Sequence, residues 1–322
     1  MTSTANSPAY QKNPWGVLLL AHGAPENLED IPEFLLNVRG GRKLPDAAVK
    51  EITRRYGLAG GSPLLKLTNR QAEALATELG LPVYVGMRNW KPFIAETLER
   101  VKADGVERVV ALCMAPHNSR TSIGLYRKSL SEACEKATPS LRIEFVENWH
   151  DEPLLVAAFR EKLVQAIDRA RAQAGQEVPV VFTAHSVPEK TIAEGDAYQQ
   201  QVRETAALLA VAAGPEYLPR YRVAFQSQGM TAEPWIGPTV ESQIDEIAAA
   251  AQKYVLIVPI GFVCDHIEIL YDIDIMFTEY GKARGVMVMR SESLNDSPLF
   301  IRALGSIVRA RMESAGAAGV AP

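Results

Sequence analysis

The chain has 322 residues, 47% of them hydrophobic, so it is long enough to bury one large core or two medium-sized cores. Its 34 basic and 38 acidic residues give a formal net charge of −4 without a long basic block, which argues against a nucleic-acid partner. Three cysteines without a CxxC spacing, a polar N-terminus and the lack of any apolar run near the roughly 18 residues of a membrane span predict a cytoplasmic protein without a transmembrane segment.

Short apolar runs alternate with amphipathic stretches along the chain. The apolar runs predict strands near Gly16–Ala21, Pro82–Met87, Arg108–Met114, Leu141–Val146, Val178–Ala184, Tyr221–Gln226, Tyr254–Gly261 and Gly285–Met289. The amphipathic stretches predict helices that include Leu64–Leu79, Phe93–Ala103, Leu154–Ala174, Asp196–Ala213 and Pro298–Met312. Because strands and helices alternate, we expect an α/β fold with parallel sheets.

Two segments of the chain are similar to two later segments. LLLAHGAPEN at Leu18–Asn27 is similar to VFTAHSVPEK at Val181–Lys190, and the stretch that begins at Val106 is similar to the one that begins at Ala251. This weak internal repeat predicts two similar Rossmann-like domains whose parallel sheets face a central cleft.

The domain boundary is expected in the segment Asn148–Pro153, after the fourth predicted strand. Both ends of the chain are rich in small residues and proline and are expected to be disordered, and the last helix is expected to pack on the first domain. The predicted segments are a disordered N-terminus at 1–14, an N-terminal domain at 15–150, a C-terminal domain at 151–313 and a disordered tail at 314–322.

The segment Tyr254–Tyr280 joins an apolar strand to an acidic stretch. Asp265, Glu268 and Asp272 follow the strand at spacings of three and four residues, which predicts that they share one helix face. In open α/β sheets, ligands bind beyond the carboxyl ends of the strands. We therefore expect this acidic face to border the cleft.

Two histidines end equivalent predicted strands, His22 in AHGAP and His185 in AHSVP. A neutral imidazole takes a proton near neutral pH or binds a soft divalent metal, and a carboxylate across the cleft supports either role. The chain has no HExxH, GxSxG or P-loop motif and no GxGxxG after a strand, which argues against the corresponding enzyme classes. The residues alone therefore indicate a bound cation or an acid–base pair.

Several short motifs are similar, in order along the chain, to those of one protein family. They are AHGAPE, VRGGRK, RYGLAGGSPL, YVGMRNWKPFI, APHNSRTSIGLY, FTAHSVPEK, GDAYQQQ, FQSQGMTAEPWIGP and FVCDHIEILYDID. From about Val17 to Met312 the chain resembles the ferrochelatases, and within them most closely the coproporphyrin III ferrochelatases. The resemblance implies a two-domain chelatase-type fold and a porphyrin ferrochelatase that inserts Fe²⁺ into a porphyrin in haem biosynthesis.

The resemblance also implies the residues of the site. His185 and Glu268 are the implied catalytic pair on the metal path, and Asp272 extends the metal-binding set as part of a carboxylate path for iron or protons. The implied porphyrin contacts are His22, Arg39, Arg55, Tyr56, Ser62 and Tyr126. Flat apolar walls for the ring are expected from Met87, Trp90, Trp235, Ile236 and Phe262. Whether His185 binds iron or accepts a pyrrole proton stays open.

The short segment after Pro32 and the APHNS motif are the features shared with coproporphyrin III enzymes. Coproporphyrin III carries four propionates, so basic residues are expected near the mouth of the cleft, and the candidates are Arg39, Arg42, Lys43 and Arg55. Protoporphyrin IX is the alternative substrate. We expect Fe²⁺ as a substrate, no iron–sulfur cluster, and a downstream haem-synthesis enzyme as a candidate partner.

Three residues depart from the family pattern. His22 stands where coproporphyrin enzymes usually have tyrosine, Met276 where the family has another glutamate, and Gly40 where close relatives have a basic residue. We expect the imidazole of His22 to reach the metal of the product on the face away from His185. Because of the HGAP strand end, a cobalt or nickel chelatase of a tetrapyrrole pathway is the alternative enzyme. A non-catalytic haem-binding protein is the alternative from a different class.

Overall fold

The computed structural model describes residues 14–229 and 233–318, which form two four-stranded parallel sheets surrounded by helices. The first sheet has the order β2-β1-β3-β4, and the second has the matching order β6-β5-β7-β8. The strands are β1 (Trp15–Ala21), β2 (Val83–Met87), β3 (Arg108–Cys113), β4 (Arg142–Val146), β5 (Val180–His185), β6 (Tyr221–Gln226), β7 (Tyr254–Pro259) and β8 (Met287–Arg290). The predicted α/β fold of two similar domains is confirmed.

Helices connect the strands and cover both sheets. They are α1 (Ile31–Val38), α2 (Asp46–Leu58), α3 (Leu64–Leu79), α4 (Ile94–Ala103), α5 (Ile123–Ala137), α6 (Pro153–Ala174), α7 (Glu189–Ala193), α8 (Tyr198–Ala213), α9 (Val240–Ala249), α10 (Ile267–Leu270), α11 (Thr278–Lys282) and α12 (Pro298–Ala318). A 3₁₀ turn, Leu28–Asp30, precedes α1, and a π-helix, Asp272–Phe277, lies between α10 and α11.

The central strand β1 is apolar on both faces because helices cover both faces. Its side chains from Val17 to Leu20 are fully buried. Val17 and Leu19 belong to a core cluster that extends into the second sheet and its helices, whereas Leu18 and Leu20 belong to a cluster within the first half. Burying each such side chain contributes about 1.5–3 kcal/mol. A continuous apolar run is thus what a doubly covered parallel strand requires.

The last helix, α12, joins the two halves of the molecule. It packs against α6 of the C-terminal half and against α3 of the N-terminal half. Phe300 of α12 stacks on Trp149 with ring centroids 6.1 Å apart, and Arg309 donates to the carboxylate of Glu78 at 2.7 Å. Since α12 extends to Ala318, residues 314–318 are helical, although the sequence analysis assigned them to a disordered tail.

The two ends of the chain, residues 1–13 and 319–322, lie outside the described residues, so their disorder stays a prediction. We propose the division between residues 150 and 151 as the domain boundary, because it lies in the segment that joins β4 to α6. Within the described ranges, no helix combines the length and the apolar character needed to cross a membrane.

Candidate active site

Two histidines occupy matching places in the two sheets. His22 directly follows β1, and His185 ends β5. Nδ1 of His22 lies 3.0 Å from the carbonyl oxygen of Gly23, and Nδ1 of His185 bonds in the same way to the carbonyl oxygen of Ser186. Because a carbonyl oxygen only accepts hydrogen bonds, Nδ1 carries the hydrogen in both rings. In the neutral ring, Nε2 is then the atom that acts as a base or a metal ligand.

The turn after His22 requires glycine. Gly23 has φ +87°, and a Cβ on it would lie 2.8 Å from the backbone nitrogen of Trp90. The backbone of His22 is also fixed, because the amide of Asn89 donates to its carbonyl oxygen at 3.0 Å. His22 is therefore held at a defined place on the N-terminal side of the cleft.

Glu268 lies between two imidazoles of the C-terminal half. Its Oε1 is 3.5 Å from Nε2 of His185, and its Oε2 is 3.5 Å from Nε2 of His266. These distances are long for hydrogen bonds but short enough for ion pairs. The side chains of His185, Glu268 and His266 are 34%, 36% and 15% exposed, so the group is half-buried and open to the cleft. We call these three residues the His–Glu–His cluster.

The charges of His185 and Glu268 are coupled. Burial works to lower the pKa of His185, but the nearby charge of Glu268 outweighs it and raises this pKa to about 9. Burial works to raise the pKa of Glu268, but His185 and His266 hold it well below its usual value. At neutral pH the pair is therefore an imidazolium beside a carboxylate, and the two groups together hold one proton.

His22 has the opposite electrostatic surroundings. Burial and then the positive charge of Arg88 lower its pKa. The residue is exposed to the cleft, so water weakens this effect, but the ordinary value of 6.5 already lies below neutral pH. His22 is thus a neutral imidazole that offers a nitrogen lone pair.

Asp272 lies one turn after Glu268, at the start of the π-helix, and is buried. It accepts a hydrogen bond from the hydroxyl of Ser227. Burial raises the pKa of Asp272 to about 6, while Ser227 lowers it and the charge of Glu268 raises it further. A carboxyl group with this pKa gains and loses a proton near neutral pH, as proton transfer requires.

The prediction that Asp265 shares a helix face with Glu268 and Asp272 is wrong. The helix α10 begins at Ile267, after Asp265, so the spacing rule does not apply to that residue. The carboxylate of Asp265 accepts hydrogen bonds, at 2.7–3.1 Å, from Arg290, Ser293 and Asn295. It therefore holds the segment after β8.

An aromatic cluster of the N-terminal half meets α10 at the cleft. The ring of Phe34 packs edge-on against His22, Tyr56 and Trp90, with centroid distances of 5.9, 6.4 and 6.2 Å. Ile267, which precedes Glu268 in α10, packs against the same cluster. The two halves therefore touch next to the His–Glu–His cluster.

Several of the predicted porphyrin residues lie near Glu268. Burial mainly raises the pKa values of Tyr56 and Tyr126, and the charge of Glu268 contributes to both shifts. The ring of Trp235 lies 6.4 Å from the ring of His185. Arg55 is close enough for its charge to lower the pKa of Asp272. Among the other predicted wall residues, Phe262 packs on His266 at 4.6 Å, and the buried members are Met87, Trp90 and Ile236.

Three predicted porphyrin residues lie further from this centre. Arg39 and Arg42 are exposed in the loop between α1 and α2, and Ser62 precedes α3, where its Oγ accepts from the amide of Leu64 at 3.5 Å. Within residues 14–229 and 233–318, no hydrogen bond or ion pair joins these three to the His–Glu–His cluster. Their contact with porphyrin stays a prediction.

The predicted iron ligands are brought together only in part. His185 and Glu268 are adjacent, whereas the carboxylate of Asp272 is bonded to Ser227. Among the described residues, no three His, Cys, Asp or Glu side chains are grouped so that they could hold a metal ion. The binding of Fe²⁺ by the three predicted ligands therefore stays a prediction.

Two residues of the site were not predicted from the sequence. His266 binds Glu268, and the signal for it was a second imidazole two residues before the predicted catalytic acid. Arg88 directly follows β2, and its guanidinium lies 5.2 Å from the ring centroid of Tyr126. The strand-end rule that identified His22 and His185 would also have found Arg88.

Residues 14–312 match the family model described as Ferrochelatase. The chain belongs to the ferrochelatase family. It is 45% identical over 312 residues to a ferrochelatase from Acidobacterium capsulatum, with 92% of this chain and 94% of the relative covered. It is 36% identical over 311 residues to a coproporphyrin III ferrochelatase from Geobacillus thermodenitrificans, with 94% and 97% covered. The protein is thus a porphyrin metal chelatase of haem biosynthesis, and its metal substrate is ferrous iron.

A solved structure with the same fold is the sirohydrochlorin chelatase SirB from Bacillus subtilis subspecies spizizenii in complex with cobalt. The TM-score is 0.56 at 13% identity, with 93% of this chain and 95% of the other covered. At this identity the similarity concerns the fold alone. It confirms the two-domain chelatase-type fold that the sequence predicted.

Proposed function

We propose that this ferrochelatase inserts Fe²⁺ into coproporphyrin III. The observation that carries the proposal is a group of three cations in the loop between α1 and α2, residues 39–45. Arg39, Arg42 and Lys43 are exposed there, and in the described part of the chain none of them pairs with a carboxylate. Gly40 of this loop adopts a left-handed conformation, φ +60°, which glycine takes without strain.

The loop lies beside the cleft, because Leu44 packs against the aromatic cluster that surrounds Phe34. Hydrogen bonds between charged groups contribute about 1.5–3 kcal/mol each when they are protected from water. Coproporphyrin III has four propionates and protoporphyrin IX has two, so additional free cations favour coproporphyrin III. Relatives from Geobacillus thermodenitrificans and Halalkalibacterium halodurans, named coproporphyrin III ferrochelatases, support this substrate.

The proposed reaction replaces two pyrrole protons by Fe²⁺, so the groups that face the ring must accept protons. Glu268 is the proposed acceptor, because its carboxylate is ionised and lies beside His185. Asp272, with a pKa of about 6, is the proposed carrier of protons towards solvent. The same carboxylates are proposed ligands for entering Fe²⁺. His185 is proposed to bind the entering ion, but not the metal of the product, after its proton has passed by way of Asp272 to solvent.

Competition between the two porphyrins tests the proposed substrate. The enzyme is incubated anaerobically with Fe²⁺ and both porphyrins, and the absorbance of each metallated product is followed. We expect a higher kcat/KM for coproporphyrin III, whereas a clear preference for protoporphyrin IX would overturn the assignment. Parallel assays with Co²⁺, Ni²⁺ and Zn²⁺ test the metal.

The variant Arg39→Ala tests the role of the loop. We expect it to narrow the preference for coproporphyrin III by about three- to tenfold, because one propionate loses its partner. Lys253→Ala is the matched control, since Lys253 is exposed and precedes β7 at the end of the strand that faces away from the cleft. An equal change in both variants would show that the overall charge, and not the loop, sets the preference.

A further inference from the structure

Tyr198, the first residue of α8, holds the backbone of His185. Its hydroxyl donates to the carbonyl oxygen of His185 at 2.8 Å, and the tyrosine is 7% exposed. Burial and the nearby charges of Glu268 and Asp196 raise the pKa of Tyr198, so the hydroxyl keeps its hydrogen as a donor. Tyr198 therefore fixes the backbone of His185, and the ring of His185 faces Glu268.

Asp196 joins the start of α8 to the N-terminal half. Its Oδ1 accepts from the amide of Tyr198 at 3.0 Å. Its Oδ2 accepts from the amide of Arg120 at 2.7 Å and from the hydroxyl of Ser119 at 3.2 Å. The side chain of Asp196 is 2% exposed, so its carboxylate is shielded from water, although its bond to the amide of Arg120 lies at the surface. One buried carboxylate therefore ties the loop after β3 to the helix that holds His185.

The ring of Tyr198 adds a second contact between the halves. It packs edge-on against His117 of the N-terminal half, with ring centroids 6.0 Å apart. His117 in turn bonds through Nε2 to the hydroxyl of Thr205 in α8 at 3.0 Å. Tyr198 thus lies in a polar seam between the two halves, with its hydroxyl directed at the end of β5.

We propose that Tyr198 is a positioning residue for His185, which together with Asp196 sets the place of the imidazole relative to the N-terminal half. The inference rests on the catalytic role of His185 proposed above. Metal insertion requires the imidazole and Glu268 to face a ring that also contacts the opposite side of the cleft. A small displacement of a reacting group lowers the rate strongly without changing how the rest of the substrate binds.

The variant Tyr198→Phe tests this role, because it keeps the ring against His117 and removes only the hydroxyl. We expect kcat to fall about three- to tenfold while the KM for porphyrin stays unchanged. We also expect the pKa of His185, measured by NMR on ¹⁵N-histidine-labelled enzyme, to fall towards its ordinary value, because the ring loses its fixed distance to Glu268. An unchanged kcat together with an unchanged titration of His185 would overturn the proposal.

Thr205→Val is the matched control. It removes a buried hydroxyl from the same helix and the same seam without touching His185. We expect Thr205→Val to unfold at a lower urea concentration with an unchanged kcat and an unchanged His185 titration. If Tyr198→Phe, like Thr205→Val, lowers stability but leaves kcat and the His185 titration unchanged, the role of Tyr198 is structural and the proposal is wrong.

Asp196→Asn provides a second variant in case Tyr198→Phe does not fold. It weakens the bonds to Tyr198 and Arg120, and we expect the same fall in kcat and in the pKa of His185, but smaller. An Asp196→Asn enzyme with both values unchanged would contradict the proposal. The titration of His185 does not depend on turnover, so it tests the positioning by Tyr198 separately from the catalytic role of His185. Normal turnover in His185→Ala would refute the catalytic role, and the titration in Tyr198→Phe would still test the positioning.

Discussion

His22 and His185 are the same kind of side chain at matching positions of the two sheets, but His185 is charged and His22 is neutral. Both rings donate through Nδ1 to the carbonyl oxygen of the following residue, so both offer Nε2 to the cleft. Glu268 lies near His185 and raises the pKa of His185 to about 9. Burial lowers the pKa of His22, and the nearby charge of Arg88 lowers it further. The backbone fixes the orientation of each imidazole, and the neighbouring charge determines whether Nε2 carries a proton or a free lone pair.

The largest expected effect comes from removing the charged histidine. We expect His185→Ala to lower metal insertion by about 10²-fold or more, the usual scale for loss of an acid–base group. Porphyrin should still bind, because the aromatic cluster and the cationic loop remain. Product absorbance measures turnover, and quenching of tryptophan fluorescence measures porphyrin binding. Near-normal turnover would refute the catalytic role of His185.

The next effect comes from removing the charge that distinguishes the two histidines. Glu268→Gln keeps the size of the side chain but loses its charge, so we expect turnover to fall about tenfold or more, with a smaller loss of porphyrin affinity. The pKa of His185 should fall below about 9, because Glu268 is what raises it. If turnover and affinity fall equally, Glu268 is a binding residue.

The neutral histidine is expected to bind the metal of the product. In the iron–porphyrin complex of the wild type, resonance Raman bands of an iron–imidazole bond should shift on ¹⁵N-histidine labelling. We expect His22→Ala to lose these bands and His185→Ala to keep them, while turnover of His22→Ala falls less than that of Glu268→Gln. Bands that persist in His22→Ala would make His22 a structural residue.

The smallest expected effect is on stability. The folded pKa of His185, about 9, lies above its ordinary value of 6.5, so the folded state binds this proton more tightly. The resulting stabilisation is complete below about pH 6.5 and is lost as the pH rises through about 9. Urea unfolding across this range should show a larger decline in the free energy of unfolding for wild type than for Glu268→Gln. Parallel declines in the two proteins would refute the coupling.

Most of the fold could be predicted from the sequence because apolar periodicity reports how a segment is covered. The predicted helix Leu64–Leu79 has the observed bounds of α3. Every end of the eight strands lies within two residues of its predicted position. Site residues could be predicted where they lie at the end of a predicted strand, as His22 and His185 do. Those positions follow from the parallel topology.

The rest of the site depends on packing that no local pattern contains. The contact of His266 with Glu268 depends on how the loop before α10 turns, and the π-helix after Tyr271 has no periodic signal of its own. Asp265 was misplaced because its partners lie at the end of β8 and just after it, 25–30 residues away in sequence. The charge difference between the histidines also required the structure, since Arg88 follows β2 and Glu268 lies in α10.

The position of α12 has a consequence for synthesis on the ribosome. In the N-terminal half, α12 packs against α3, β3 and β4, and Phe300 and Leu304 of α12 belong to the core cluster that spans both halves. At about 5–20 residues per second, the face of α3, β3 and β4 on which α12 packs leaves the ribosome well before α12 does. The N-terminal half therefore cannot complete its core during translation, and chains that stop before Pro298 are expected to expose this face and aggregate.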